Sequence, residues 1–157
     1  MCEVLKDRLA FDGKIVTIRG HTTGTMEGSW LDSDACPGVV KDADYVWDTL
    51  ISLESAGSAA KIHAIDFEED FAAADRAERK YRNLTKRTPL YFWLRSRKSE
   101  RCVEFIITGQ FGTRREFTKM TYPNGSFLYL GFGHGGQAPA QLVVKSTDDV
   151  VVRTDCR

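Results

Sequence analysis

The run Asp12-Gly13-Lys14-Ile15-Val16-Thr17-Ile18-Arg19-Gly20 limits the fold more than any other stretch of this chain. Asp-Gly is a turn dipeptide, and the β-branched run behind it favours extended backbone. Val16 and Ile18 fall on one face, and Ile15, Thr17 and Arg19 on the other. The run is therefore expected to be the first strand of a small, strongly curved β-structure. Gly20 marks a bend or bulge at its end.

The remaining segments are placed around that strand. Residues 2–10 put Val4, Leu5 and Leu9 on one side of a short helix that plugs one end of the core. A polar loop over 21–27 leads to a short second strand, 29–32, and a loop over 33–43. In the third strand Tyr45, Trp47, Thr49, Ile51 and Leu53 alternate with Val46, Asp48, Leu50 and Ser52. A helix is expected over 67–84, with Asp66 as N-cap and Glu69 at the capping-box spacing. Its apolar stripe is Phe67, Phe71, Ala74, Ala77, Tyr81 and Leu84. Acidic residues in its first turn and Arg79, Lys80 and Arg82 near its end complement the helix dipole. Thr88-Pro89 ends the helical region. Residues 90–94 are apolar on both faces and fit a strand or a helical turn. Residues 95–101 form a basic loop. The fourth strand, 102–111, aligns Val103, Phe105, Ile107 and Phe111, and Gly109 permits curvature. A turn at Tyr122-Pro123-Asn124-Gly125 precedes a short strand over 126–132. A glycine-rich loop, 131–136, follows it. The fifth strand is 141–145, with 150–152 extending it beyond a Ser-Thr-Asp-Asp turn.

Five principal strands with one strong helix between the third and fourth match the order of an OB-fold, a five-stranded Greek-key barrel. The reading is mainly β, one domain over 1–157. The rival is an α+β arrangement with the helix across an open antiparallel sheet.

Lys plus Arg equals Asp plus Glu at 22 each, so the formal net charge is zero. Nucleic-acid binders usually carry a basic surplus, because phosphate neutralisation dominates their affinity. The balance disfavours a nucleic-acid partner, although a local basic patch is compatible with it. No apolar run reaches the length of a membrane span. Cys2, Cys36, Cys102 and Cys156 include no CxxC pair, which argues against structural zinc. Either the thiols are separate and reduced, or two disulfides form in an oxidising compartment, with three connectivities open. The positions of Cys2, Cys36 and Cys156 near the ends or in a polar loop favour disulfides. Export to the periplasm, with any leader already removed, is the corresponding expectation, and a cytoplasmic location is the alternative.

Cys2-Glu3-Val4-Leu5, the run from Phe11 to Gly20, Gly131-Phe132-Gly133-His134-Gly135 and Gln141-Leu142-Val143-Val144 resemble a pattern in small, uncharacterised bacterial proteins. That resemblance covers both ends of the chain and implies an OB-like fold and export. It implies no activity.

On an OB barrel, ligands meet the face of strands two and three and the loops joining strands one to two and four to five. Those elements supply His21, Trp30, Trp47, Phe132 and His134 as candidate ligand-binding residues. Trp30 and Trp47 suit stacking of a base or sugar ring. Their competing role is core packing. His21 and His134 suit a metal or proton transfer, or structural hydrogen bonding. The glycine-rich loop lacks GxxxxGK[ST] and a full GxGxxG, so it does not read as a phosphate cradle. No cofactor or metal is called for. The favoured function is a non-enzymatic binding module for a small ligand, glycan or protein. Single-stranded nucleic-acid binding is one alternative, motivated by Arg95, Arg97, Lys98, Arg101, Arg114 and Arg115. A hydrolase-type enzyme using His21 or His134 is another.

Overall fold

The computed structural model describes residues 1–25, 28–33, 35–42, 45–86 and 103–153. Two short helices, α1 (Cys2–Lys6) and α2 (Arg8–Phe11), precede β1 (Ile15–Thr25) and β2 (Gly28–Asp32). The two-residue strands β3 (Lys41–Asp42) and β4 (Tyr45–Val46) lead to β5 (Leu50–Glu54) and α3 (Phe71–Lys86). Then come β6 (Val103–Thr113), β7 (Thr118–Thr121), β8 (Phe127–Leu130) and β9 (Ala140–Val152). The chain is thus mainly β with few helices.

Five strands form one sheet in the order β1-β2-β5-β9-β6, and β6 pairs back onto β1. Every neighbouring pair is antiparallel except β5 and β9, which run parallel. This ring of pairings differs from the open antiparallel sheet that was the rival expectation. Each strand sends an apolar side chain inward. Ile18, Leu31, Ile51, Ile107, Phe111 and Leu142 are all at most 3% exposed. Burying each such side chain stabilises the fold by about 1.5–3 kcal/mol.

The alternation expected in the first strand holds, with Ile18 buried and Ile15 exposed. The strand runs on past Gly20 to Thr25. Val4 and Leu5 of α1 join the core as expected, whereas Leu9 is exposed because the helix breaks at Asp7. Cys2 is disulfide-bonded to Cys36, tying α1 to the loop before β3. Cys102, Cys156, the 90–94 run and the basic loop 95–101 lie outside the described residues.

Three expected boundaries shift. The third strand is not continuous. The Trp47 N–H donates to the Val40 carbonyl, and the Leu50 N–H to the Asp48 carbonyl, so the backbone turns between β4 and β5. The helix starts at Phe71, and its N-cap is Asp70, not Asp66. The Asp70 carboxylate accepts the Ala73 N–H at 2.9 Å, the usual N-cap bond to the third helical residue. Ala73 and Ala77 are the buried residues of the helix, and Ala77 with half-buried Tyr81 and Leu84 packs with Val103, Phe105 and Val150. Phe71 is 71% exposed, and Phe67 precedes the helix. Finally, β9 runs through the Ser-Thr-Asp-Asp segment as one strand. Register shifts between Ile106 and Ile107 and between Thr108 and Gly109 absorb the turn as bulges.

Candidate functional site

The residues expected at one ligand mouth divide between the core and the surface. Trp30, Trp47 and Phe132 belong to the same buried cluster. Trp47 meets Tyr45 edge-on at 5.0 Å and Phe117 at 4.5 Å, and Phe117 reaches Phe132 at 6.4 Å. The glycine-rich segment closes over this cluster. The Gly131 N–H donates to the Gly136 carbonyl, and the Phe132 N–H to the Ala138 carbonyl. Gly133 has φ 74°, and a Cβ there would stand 2.8 Å from Ser52 Oγ and 2.9 Å from Trp30 Nε1. Only glycine combines that backbone with that proximity. Among the described residues, neither buried indole N–H, of Trp30 or Trp47, has a hydrogen-bond partner. His134 stands exposed in the 3-10 turn that follows.

His21 sits on another part of β1. Its Nδ1 donates to the Val103 carbonyl at 3.1 Å, which leaves Nε2 facing Glu104 at 4.0 Å. Arg19 pairs with the same Glu104. The His21 ring is enclosed, at 3% residue exposure. The third histidine, His63, bonds Asp12 at 2.8 Å and fastens the connection between β5 and α3 to the turn before β1.

What faces solvent beside the aromatic cluster is a cationic hairpin. β7 and β8 pair with Lys119 opposite Tyr129 and Thr121 opposite Phe127. This register lays Lys119 Nζ 3.6 Å from the Phe127 ring centre and 5.7 Å from that of Tyr129. The Arg114 guanidinium lies 4.9 Å over Phe132, and that of Arg8 5.5 Å over Phe117. A ring beneath a cation fixes where its charge sits, and the Arg8 guanidinium also donates to the Arg115 carbonyl at 3.3 Å. Tyr122 and Phe127 near the hairpin tip are 42% and 37% exposed. Over 114–132 the chain carries Arg114, Arg115 and Lys119 against one carboxylate, Glu116. Of these groups, only Arg114, Arg115 and Phe132 stand among the binding candidates offered by the sequence. The Pro-Asn-Gly turn was legible, but β7 is only four residues long and wholly exposed, so no alternation announced it.

A second concavity lies against α3. Among the described residues, β1 pairs with β6 over Ile15–Gly20 and with β2 over His21–Thr25. A trough of about 460 Å³ lies between β1 and α3. Leu53, Phe105, Ile107 and Val144 form its apolar part. Thr22, Thr23 and Ser29 line one side, and Asp75 and Glu78 the other. An adjoining cavity of about 240 Å³, sharing Thr22, Thr23, Gly24 and Phe105, continues it to Tyr81.

Among the described residues, no three His, Cys, Asp or Glu side chains gather as a metal site would require. No helix among them is long and apolar enough to cross a membrane. No family model, no curated protein and no solved structure matches this chain.

Proposed function

We propose that the chain is a non-enzymatic binding module of OB-like fold that takes an anionic ligand on its β6–β9 connection. Two features support the OB reading. The strands pair in the order first-second-third-fifth-fourth with a parallel third–fifth pair, and the helix lies between the third and fourth. In such a barrel the connection between the fourth and fifth strands is a recognition loop. Here that connection holds the β7–β8 hairpin.

The observation that carries the proposal is the set of cations fixed on rings: Lys119 on Phe127, Arg114 on Phe132 and Arg8 on Phe117. Positioned cations lose less freedom on binding an anion than free ones. Acidic glycans and small anions suit this surface. A second reading, single-stranded nucleic acid, is favoured by exposed Tyr122 and Phe127, whose rings suit base stacking. Neither histidine carries the proposal: His21 is enclosed, and His134 follows Gly133 on the turn that borders Trp30. The Cys2–Cys36 bond supports export, since disulfides persist in oxidising compartments.

Titration with an oligouronate and with a thymidine oligonucleotide at low and at physiological salt tests this. Binding of either that weakens with salt, and weakens further in Lys119→Glu, supports the proposal. Salt-insensitive binding, or none at low salt, rejects it.

A further inference from the structure

We propose that the Cys2–Cys36 disulfide regulates the anion affinity of the hairpin surface by holding Arg8 in place there. This regulation rests on the anion-binding reading of that surface. The surface is complete while the bond is closed and loses Arg8 when a dithiol reductant opens it.

Arg8 reaches the surface from outside the β6–β9 connection. Arg114 and Lys119 belong to that connection, whereas Arg8 comes from α2. Its guanidinium lies 5.5 Å over Phe117 and donates to the Arg115 carbonyl at 3.3 Å. Arg8 and Arg115 are 107 positions apart, so the contact lasts only while the α1–α2 segment stays docked.

The docking of that segment depends on few restraints. α1 has five residues and α2 four. Isolated helices this short are unstable, because nucleation costs more than so few hydrogen bonds return. Asp7 caps the end of α1 and the start of α2, so fraying of α1 passes directly to Arg8. Val4 and Leu5 hold α1 to the core, and Cys2 ties it to Cys36. Cys36 is the fixed end of that tie. The Thr49 hydroxyl donates to its carbonyl at 2.8 Å and fastens it to the segment before β5.

Both cysteines are partly exposed, within reach of a small dithiol. One thiolate of the reductant attacks one sulfur of the bond, and the other sulfur leaves as a thiolate and takes up a proton. The second thiol of the reductant then closes its own disulfide and releases the remaining cysteine as a thiol. The reductant thus gives two electrons and two protons to Cys2 and Cys36. α1 afterwards rests on Val4 and Leu5, and local opening that carries Arg8 off Phe117 becomes more frequent.

Oligouronate titration at low salt tests this on the full chain. Four forms are compared: oxidised wild type, Cys2→Ser with Cys36→Ser, Arg8→Ala, and all three substitutions together. The serine pair breaks this bond alone and leaves Cys102 and Cys156 untouched. The serine pair and Arg8→Ala are each expected to bind about threefold or more weakly than oxidised wild type. The combined variant should match the weaker of the two within about twofold, because both changes remove the same cation. Dithiothreitol should give wild type the loss seen in the serine pair. Amide hydrogen exchange should speed up over 3–11 in the serine pair while β6 and β9 stay protected. Oxidised wild type that binds no oligouronate removes the anion reading and this regulation with it. Oxidised wild type that binds, with a smaller loss in either variant, losses that multiply in the combined variant, or no effect of dithiothreitol, overturns the regulation alone. Loss of protection in β6 and β9 together with α1 also overturns it, because the bond would then support the whole barrel.

Discussion

Gly109 and the Val143 carbonyl are so close that a Cβ at position 109 would stand 2.3 Å from the carbonyl oxygen. No real side-chain carbon tolerates that distance, and the obstacle is backbone in the middle of the β6–β9 ladder. The register shift between Thr108 and Gly109 occurs at the same place. This glycine lets the long strands coil tightly enough for β6 to meet β1 as well. Gly109→Ala should therefore destabilise the fold by about 1–3 kcal/mol, the range for forced overpacking. Chemical denaturation checks this. A change below about 0.5 kcal/mol would mean that the ladder does not need the close approach.

The Cys2–Cys36 bond closes a loop between positions 34 residues apart. Loop-closure entropy gives such a bond about 3–4 kcal/mol. Cys36→Ser, or reduction of the wild type, should lower the denaturation midpoint accordingly. Because α1 supplies Val4 and Leu5 to the core, its release should also expose apolar surface to a hydrophobic dye. Denatured, unreduced protein should show no more than two of its four thiols reactive.

Lys80 on α3 bonds Asp149 on β9 at 2.6 Å. This bond, and next the Val150 N–H, holds the Asp149 carboxyl below its usual range. A depressed carboxyl stabilises the folded state above its unfolded value of about 3.9. That contribution is lost as pH falls through the folded value. Both side chains are nearly half exposed, so Lys80→Met should cost at most about 1 kcal/mol at pH 7. The difference from wild type should vanish below the folded-state value. Urea denaturation across that pH range checks the sign.

Much of the frame was legible in the residues. The Asp12–Gly20 run showed the first strand because its β-branched alternation is local. Val103, Phe105, Ile107 and Phe111 showed the fourth for the same reason. Trp47 misled because its alternation with Thr49 and Ile51 is strand-like. Tertiary burial of the ring among Tyr45, Phe117 and Tyr129 is compatible with a turn there instead. Asp66 has the capping-box spacing, but the helix that packs Ala77 against Val103 and Val150 is capped by Asp70. The cation-on-ring contacts were not legible, since Arg8 and Phe117 are 109 positions apart and meet only through the fold.

Removing the hairpin cations should leave the fold intact. Lys119 pairs with rings at the surface, where such contacts are worth about 0.5–1 kcal/mol. Lys119→Glu should therefore shift the denaturation midpoint only slightly while weakening anion binding at least tenfold. Thermal unfolding and the oligouronate titration, run on the same sample, separate the two effects.

The most direct measurement is a backbone amide chemical-shift titration of the intact chain with oligouronate and thymidine oligonucleotide at low salt. If the β6–β9 connection is the recognition surface, amides at Arg114, Lys119 and Phe127 shift with one or both ligands and return as salt is raised. If every perturbed amide lies elsewhere, or neither anion perturbs any, the proposed surface is wrong.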